Sequence, residues 1–333
     1  MDSKYASKRI WLDKDQKGYE QWRQLMEKAG LQADEHLDYT IGIYDGKKLI
    51  ATGSFDENII KCVVVCKDYQ AENLVTQLIT QLIEQMNEKG YFHYFLYTKP
   101  ERETVFRSLG FKKIVANEEV LFMEQGPEDF SSYLHYLQEN KKAGSGAGIV
   151  MNANPFTKGH QYLVETAAEN NEQVYVFVLS EDHSEFSTDD RVKMVQAGVD
   201  HLTNVTVFPT RKYLVSQATF PAYFLKDKAE LTIAKTQATL DAQIFKEKIA
   251  PVLDIRVRYV GDEPYSKVTE VYNQAMQEVF NSELDLVILP RKAIEGDVIS
   301  ATKVRKAIEE QDERLLLELL PKTTYDYLKT NFK

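Results

Sequence analysis

Cysteine is nearly absent. The chain of 333 residues has two, Cys62 and Cys66, in the run Lys61-Cys62-Val63-Val64-Val65-Cys66-Lys67. On a strand both would face the same side, too close along one chain for an ordinary disulfide. No His or Cys cluster joins them, so buried, inert thiols are expected, and neither a disulfide scaffold nor a cysteine nucleophile. Excess positive charge is absent too. Lys and Arg number 41 against 51 Asp and Glu, a net charge of −10, and no basic patch is interleaved with aromatics. That argues against an electrostatic nucleic-acid binder. No apolar run approaches a membrane span, and Met1 to Gln16 has no signal-peptide apolar core. A soluble, cytoplasmic protein is expected. No metal-ligand spacing is visible, so no dedicated metal site is expected.

What is present suffices for well-formed cores: 43% of the residues are hydrophobic, and the length suggests two domains. The first half reads as helix (Trp11 to Leu31), hairpin (Asp38 to Tyr44 and Lys48 to Phe55 around Asp45-Gly46), strand (Ile59 to Cys66), long amphipathic helix (Ala71 to Lys89), strand (Tyr91 to Tyr97), short helix (Glu101 to Leu109) and one last strand from Gly110 to Met123. Pro127 to Lys142 reads as a connecting helix. The glycine run Ala143 to Gly148 precedes its strand rather than following one, which is the wrong context for a dinucleotide loop and fits a flexible linker. Short apolar strands then alternate with helices: Gly148–Asn152, Val174–Leu179, Val205–Phe208, Ile255–Val260 and Leu284–Leu289, separated by helices that include one from Glu230 to Val252. That is the pattern of a doubly wound parallel sheet. The boundaries expected are 1–125 for the first domain, 126–147 for the connecting helix and linker, and 148–333 for the second.

Two stretches carry the chemistry. The first is Gly148-Ile149-Val150-Met151-Asn152-Ala153-Asn154-Pro155-Phe156-Thr157-Lys158-Gly159-His160, a strand, a turn and a helix start. Free backbone N–H groups and the helix dipole there favour a phosphate. Gly159 permits close approach, Thr157 offers a hydroxyl and His160 a ring nitrogen. The second is Ile299-Ser300-Ala301-Thr302-Lys303-Val304-Arg305, where Ser300 is a natural helix cap and Arg305, one turn in, presents a fork suited to phosphate oxygens. Other polar groups follow strands: Ser180 to His183, Arg211 and Lys212, Gly261-Asp262-Glu263, and Pro290-Arg291-Lys292. Ligands of open parallel sheets bind at that edge, and Arg191 lies close by in sequence.

Thr157-Lys158-Gly159-His160 resembles the (H/T)xGH signature of nucleotidyltransferases, and Ile299 to Arg305 their ISSTxxR signature, with Ala301 in place of the usual serine. The first half resembles the GNAT N-acetyltransferase fold, most closely at Phe106-Arg107-Ser108-Leu109-Gly110-Phe111. Its usual cofactor loop is altered: in Gln70-Ala71-Glu72-Asn73-Leu74-Val75 both glycine-type positions are lost, to Asn73 and Val75. Side chains there are expected to obstruct a CoA pyrophosphate, and Glu72 to repel it. The expected fold class is therefore mixed α/β: a GNAT-like α+β domain, then a Rossmann-like, cytidylyltransferase-like parallel-sheet domain.

With both motifs in place, nearly the whole chain resembles the citrate lyase ligases. The resemblance implies an AMP-forming acid-thiol ligase in which acetate attacks ATP with Mg2+, giving acetyl adenylate and pyrophosphate. The acetyl group then passes to the thiol of the dephospho-CoA-derived arm on the acyl-carrier subunit of citrate lyase. It assigns catalytic roles to His160, Thr157, Lys158 and Arg305. Asn152, Asn154, Pro155, Phe156, Gly159, Ile299, Ser300, Thr302 and Lys303 would bind the nucleotide. Gly261, Asp262 and Glu263 would join them, the two acids either near the metal or on base and ribose. Two other readings stay open: a nucleotidyltransferase joining AMP or CMP to a phosphorylated small molecule, and a GNAT-type acetyltransferase with a regulatory nucleotide-binding half.

Overall fold

The computed structural model describes the chain except residues 1–3, 33–36, 71, 181–183, 215–229, 263–266, 295–296 and 333. Two compact units result. One holds the residues up to Tyr133 together with the start of a later helix, through Thr236; the other holds the stretch from Leu134 and the chain from Gln237 onward.

The first unit runs β1 (Ala6–Arg9), α1 (Gln16–Lys28), β2 (Tyr39–Asp45), β3 (Lys48–Asp56), β4 (Ile59–Val65), α2 (Leu74–Glu88), β5 (Tyr94–Thr98), α3 (Glu103–Ser108), β6 (Lys112–Ala116) and β7 (Leu121–Gln125). Its seven strands form one sheet in the order β1-β2-β3-β4-β5-β7-β6. Only β4 and β5 pair in parallel, through Ile59 and Ile60 against Phe95 and Leu96. The apolar stripe of α2 (Leu74, Leu78, Ile79, Leu82, Met86) packs with Ile41, Ile43, Phe55, Leu96, Leu121 and Met123 into a single core.

Several expectations are corrected here. The last strand is two: the Asn117 carboxamide accepts from the N–H groups of Glu119 and Val120, at 2.9 and 2.8 Å, and turns β6 back into β7. An Asn side chain mimicking a backbone turn is a short signal inside an otherwise strand-like run. β1 escapes the sequence because most of it is exposed. Cys62 and Cys66 are free thiols, but their strand is not continuous. A bulge between Lys61 and Val64 leaves Cys62 at φ 55°, and Cys66 lies beyond the end of β4. Asn73 sits at φ 53°, the left-handed region a glycine would favour, so its side chain does not abolish the turn before α2. The charge of Glu72 is met by Lys4 at 3.3 Å.

Next come α4 (Phe130–Glu139), β8 (Gly146–Met151), α5 (Lys158–Asn170), β9 (Gln173–Val178), α6 (Thr188–Val199), β10 (Val205–Pro209), α7 (Glu230–Ile244), a π-helical turn (Phe245–Ile249), α8 (Ala250–Leu253), β11 (Ile255–Gly261), α9 (Lys267–Phe280) and β12 (Asp285–Leu289). The chain closes with a small hairpin, β13 (Ala293–Ile294) and β14 (Asp297–Val298), and then α10 (Ala301–Glu309), α11 (Glu313–Leu319) and α12 (Lys322–Asn331). β8 to β12 form a wholly parallel sheet in the order β10-β9-β8-β11-β12. The order reverses at β8. The chain steps from β8 to β9 on one side and later returns to β11 on the other, which opens the ligand-binding crevice of such folds at the C-terminal end of β8. Among the described residues no helix is long and apolar enough to cross a membrane.

Three more expectations change. Gly146 and Ala147, assigned to a flexible linker, are already in β8, and the N–H and hydroxyl of Ser145 donate to Glu172 at 2.7 and 3.0 Å. The single helix Glu230–Val252 is interrupted by the π-helical turn. Phe245 from that turn covers the sheet and meets Phe177 edge-on, with ring centres 5.9 Å apart. α12 was not expected. It docks on α6, where Tyr327 donates to Asp190 at 2.7 Å, and this bond, with burial second, pushes the Tyr327 phenol up to about 12.

On the other face, α5, α6, α10, α11 and α12 cover the sheet, with Ile149, Val164, Val176, Val195, Val304, Leu319 and Leu328 in one core. Phe156 enters this core through a gap that exists only because α6 carries a glycine. A Cβ on Gly198 would stand 2.4 Å from Phe156 Cε1. Helix propensity favours Gly198→Ala by about 1 kcal/mol, whereas overpacking costs about 1–3 kcal/mol. The clash is expected to win, lowering stability in urea denaturation, and the loss should shrink when Gly198→Ala is placed in a Phe156→Leu background.

Candidate active site

The site grows from the end of β8. Thr157 caps α5, and its hydroxyl accepts from the His160 N–H. His160 returns the bond, its Nδ1 accepting from the Thr157 N–H at 3.0 Å. This is a capping box with His where Glu or Gln is usual. It has a chemical consequence. A ring nitrogen that accepts from the backbone carries no proton, so the proton of the neutral ring is assigned to Nε2. Burial, and secondarily the charge of Arg291, lower the imidazole to about 4. His160 is thus a neutral N–H donor, held against the ring of Phe156 with centres 5.8 Å apart. Because Thr157 satisfies the third N–H of α5, those of Lys158 and Gly159 are left at the helix start, where an anion is favoured.

The second motif lies against the first. Ser300 caps α10, accepting from Lys303 N at 3.2 Å. Ile299 packs on Gly159, where an added Cβ would be 3.7 Å from Ile299 Cβ. Arg305 donates to the Asn154 carbonyl at 2.7 Å and to Thr302 Oγ1 at 3.2 Å. Two of its five N–H groups hold the loop in this way.

Two assigned side chains are placed differently from their expectation. The Lys158 ammonium donates to the carbonyls of Leu317 and Glu318 at 2.9 and 2.8 Å. It caps the end of α11, a favourable place for a cation, and this role competes with phosphate binding. Lys303 Nζ likewise donates to Val298 O at 2.9 Å. Each basic residue near a helix end had a carbonyl within reach, which spacing in the sequence does not reveal.

Arg191 is fully buried and does not line the site. It organises it, donating to Phe186 O, to Leu179 O and to both oxygens of Asn152, the last at 3.0 and 2.6 Å. A buried guanidinium left unpaired would be strongly destabilising, so these acceptors are held in place. Asn154 Oδ1 accepts from Phe186 N at 3.2 Å, which ties the same two loops. Pro155 and Phe156 are buried in the turn. Gly261 ends β11, and Asp262 follows with its N–H on Leu289 O at 2.8 Å. Arg291, noted in the sequence without a role, donates from Nε to Asp262 O at 2.9 Å. Arg211 is carried elsewhere, over the ring of Tyr136 at 5.7 Å. Glu263 and the run Glu181 to His183 fall outside the described residues. No group of three His, Cys, Asp or Glu side chains fit to hold a metal occurs among the described residues.

The sign of the His160 shift gives a test. The unfolded ring titrates near 6.5 and the folded ring near 4, so between these values the unfolded state binds more protons. Stability should fall as pH drops from about 6.5 towards 4. His160→Gln keeps a capping-box side chain without the titration. Urea midpoints across that window are expected to fall less steeply for His160→Gln than for the parent chain.

The chain is similar to several known proteins. Residues 146–328 match the family model described as the citrate lyase ligase C-terminal domain. The [citrate [pro-3S]-lyase] ligase of Haemophilus influenzae is 35% identical over 308 residues, covering 90% of this chain and 91% of that protein. Among solved structures, a putative nicotinate-nucleotide adenylyltransferase from Vibrio parahaemolyticus matches 56% of this chain and 93% of its own at 17% identity, TM-score 0.34. A GNAT-family acetyltransferase from Staphylococcus aureus matches 36% of this chain and 98% of its own at 12% identity, TM-score 0.31. Sharing a third of its residues with a curated ligase over nine-tenths of its length, and matched by the family model across the unit that holds both motifs, the chain belongs to the citrate lyase ligase family.

Proposed function

We propose that this chain is an ATP-dependent, AMP-forming ligase that activates acetate and acetylates the acyl-carrier subunit of citrate lyase. The observation that carries the reading is the joining of two helix starts, α5 and α10, through the Arg305 bond to Asn154 O at the crevice beside β8. Each helix start is a ready anion-binding end, and two of them side by side suit a triphosphate. In the first step an acetate oxygen bonds to the α-phosphorus of ATP. The bond from that phosphorus to the bridging oxygen breaks, and its electron pair leaves with pyrophosphate. Catalysis of such an in-line displacement is positioning and stabilisation of spreading charge. His160 Nε2–H and the first N–H groups of α5 meet the α-phosphate. Ser300, Thr302 and the remaining N–H groups of Arg305 meet the departing phosphates.

In the second step the thiol sulfur of the dephospho-CoA-derived arm bonds to the acetyl carbon. The carbon–oxygen bond to AMP breaks, AMP takes the pair, and the thiol proton is released. The free cysteines, Cys62 and Cys66, take no part. Magnesium enters as part of the nucleotide substrate, with Asp262 and Glu263 either near it or on base and ribose. We assign recognition of the carrier or its arm to the first unit, whose turn before α2 keeps its left-handed residue at Asn73.

Pyrophosphate release from ATP and magnesium is expected to depend on acetate and not on citrate, with AMP formed once a thiol acceptor is added. His160→Gln should lower the acetate-dependent rate about a hundred- to thousand-fold, the usual cost of losing one oriented donor. Turnover with a phosphorylated co-substrate and none with acetate would instead make the chain an ordinary nucleotidyltransferase.

A further inference from the structure

The two motifs are braced by a segment that belongs to neither. Lys158 Nζ holds the end of α11 through the carbonyls of Leu317 and Glu318, and α12 begins soon after, at Lys322. α12 then reaches the start of α6. There the Tyr327 hydroxyl donates to Asp190 Oδ1 at 2.7 Å, and the Phe332 ring meets Phe186 edge-on, with centres 5.0 Å apart. The start of α6 is thus gripped by one polar and one apolar contact.

What those contacts hold leads to the site. The other carboxylate oxygen of Asp190 accepts from the Ser187 hydroxyl at 2.5 Å, and Ser187 caps α6. The preceding residue, Phe186, is buried. Its N–H donates to Asn154 Oδ1 at 3.2 Å, and its carbonyl accepts from Arg191 Nε at 3.0 Å. The carbonyl of Asn154 is the acceptor of the Arg305 bond. A short chain of bonds therefore leads from Tyr327 to the contact that joins the two helix starts. Asp190 is held below the usual carboxylate range, first by the Ser187 hydroxyl and then by Tyr327. An ionised acceptor facing a phenol that keeps its proton makes a charge-assisted bond, stronger than a neutral one.

We infer that Tyr327 is a positioning residue of the site: through Asp190 and the Ser187 cap it fixes Phe186, and through Phe186 it sets Asn154, against which Arg305 draws α10 onto the first motif. The inference rests on the nucleotide reading of the crevice. Tyr327 itself touches no substrate. Its effect falls on in-line geometry, because a loosened clasp still offers N–H groups to phosphates but holds them less accurately.

The intact chain tests this with Tyr327→Phe, which removes one oxygen and keeps the ring. Single-turnover pyrophosphate release at saturating ATP and magnesium is expected to slow by about tenfold, less than a misplacement of about 1 Å can cost, with a smaller change in the ATP dissociation constant. Exchange of the Phe186 N–H with solvent deuterium should quicken. Asp190→Ala should lose at least as much, and Tyr327→Phe added to it should lose no more. Val174→Ala, a buried truncation at the opposite end of the sheet, controls for stability alone and should release pyrophosphate as the parent does. A parent-like rate in Tyr327→Phe, a loss no greater than in Val174→Ala, losses that add in the double variant, or unchanged exchange at Phe186 would overturn the inference. The two readings fail separately, since exchange at Phe186 is measured without substrates. If release requires a phosphorylated acceptor instead of acetate, the acetate reading falls, while a loss of about tenfold in Tyr327→Phe with that acceptor still supports the residue's role.

Discussion

The site depends on one hydrogen bond between segments remote in sequence, from the Arg305 guanidinium to the Asn154 carbonyl at 2.7 Å. Without it the two helix starts would be separate anion sites, each weak on the surface. With it, α10 is fixed against the loop that carries Thr157, Gly159 and His160. The bond has a counterpart running the other way, in which Lys158 of the first motif holds the end of α11 through two carbonyls. Each motif therefore contributes a cation that ties it to a segment remote in sequence. Bonds from a charged donor contribute about 1.5–3 kcal/mol each, against about 1.5–2 kcal/mol for ordering each long Lys or Arg side chain, so two bonds per cation leave a net gain.

Beneath this clasp lies a second constraint, the buried Arg191. Its guanidinium gathers carbonyls from the ends of β8 and β9 and from the loop before α6. The interior would penalise that charge heavily if any acceptor were lost, so the residue enforces a geometry that no apolar side chain of similar size would. It lends rigidity to Asn152 and Asn154 without approaching the crevice. Sequence position alone made Arg191 look like a site residue; depth in the fold makes it a support.

The parallel sheet, its helices and both motifs were legible because each depends on local signals: apolar runs, a capping residue, a glycine. The same holds for Thr157, His160 and Ser300, whose roles at helix starts follow from spacing. What stayed hidden depends on distance through space. The capping box orients His160 by its own backbone, but its neutrality comes from burial and from Arg291, a residue far along the chain. Lys158 and Lys303 read as phosphate ligands until carbonyls of other turns are seen beside them. The Asn117 turn and the π-helical turn at Phe245 were missed for the opposite reason, since both are brief departures inside runs whose wider pattern is regular.

On the proposed function, His160 also shows why a nucleotide site in an acidic chain benefits from neutral donors. The net charge of −10 repels a polyanion at long range, an effect that salt screens beyond about 8–10 Å. Close to the phosphates, recognition falls to short-range groups whose protonation is constant. An imidazolium at His160 would add charge but would bind a proton in competition with the Thr157 N–H, breaking the capping box that aims the ring. Holding the ring neutral keeps its Nδ1 bond to the Thr157 N–H at every pH above about 4, and leaves positive charge to guanidinium groups that do not titrate. On that reading the ring is oriented by the Thr157 backbone and not by a titrating charge, which is the pre-organisation that transition-state stabilisation calls for.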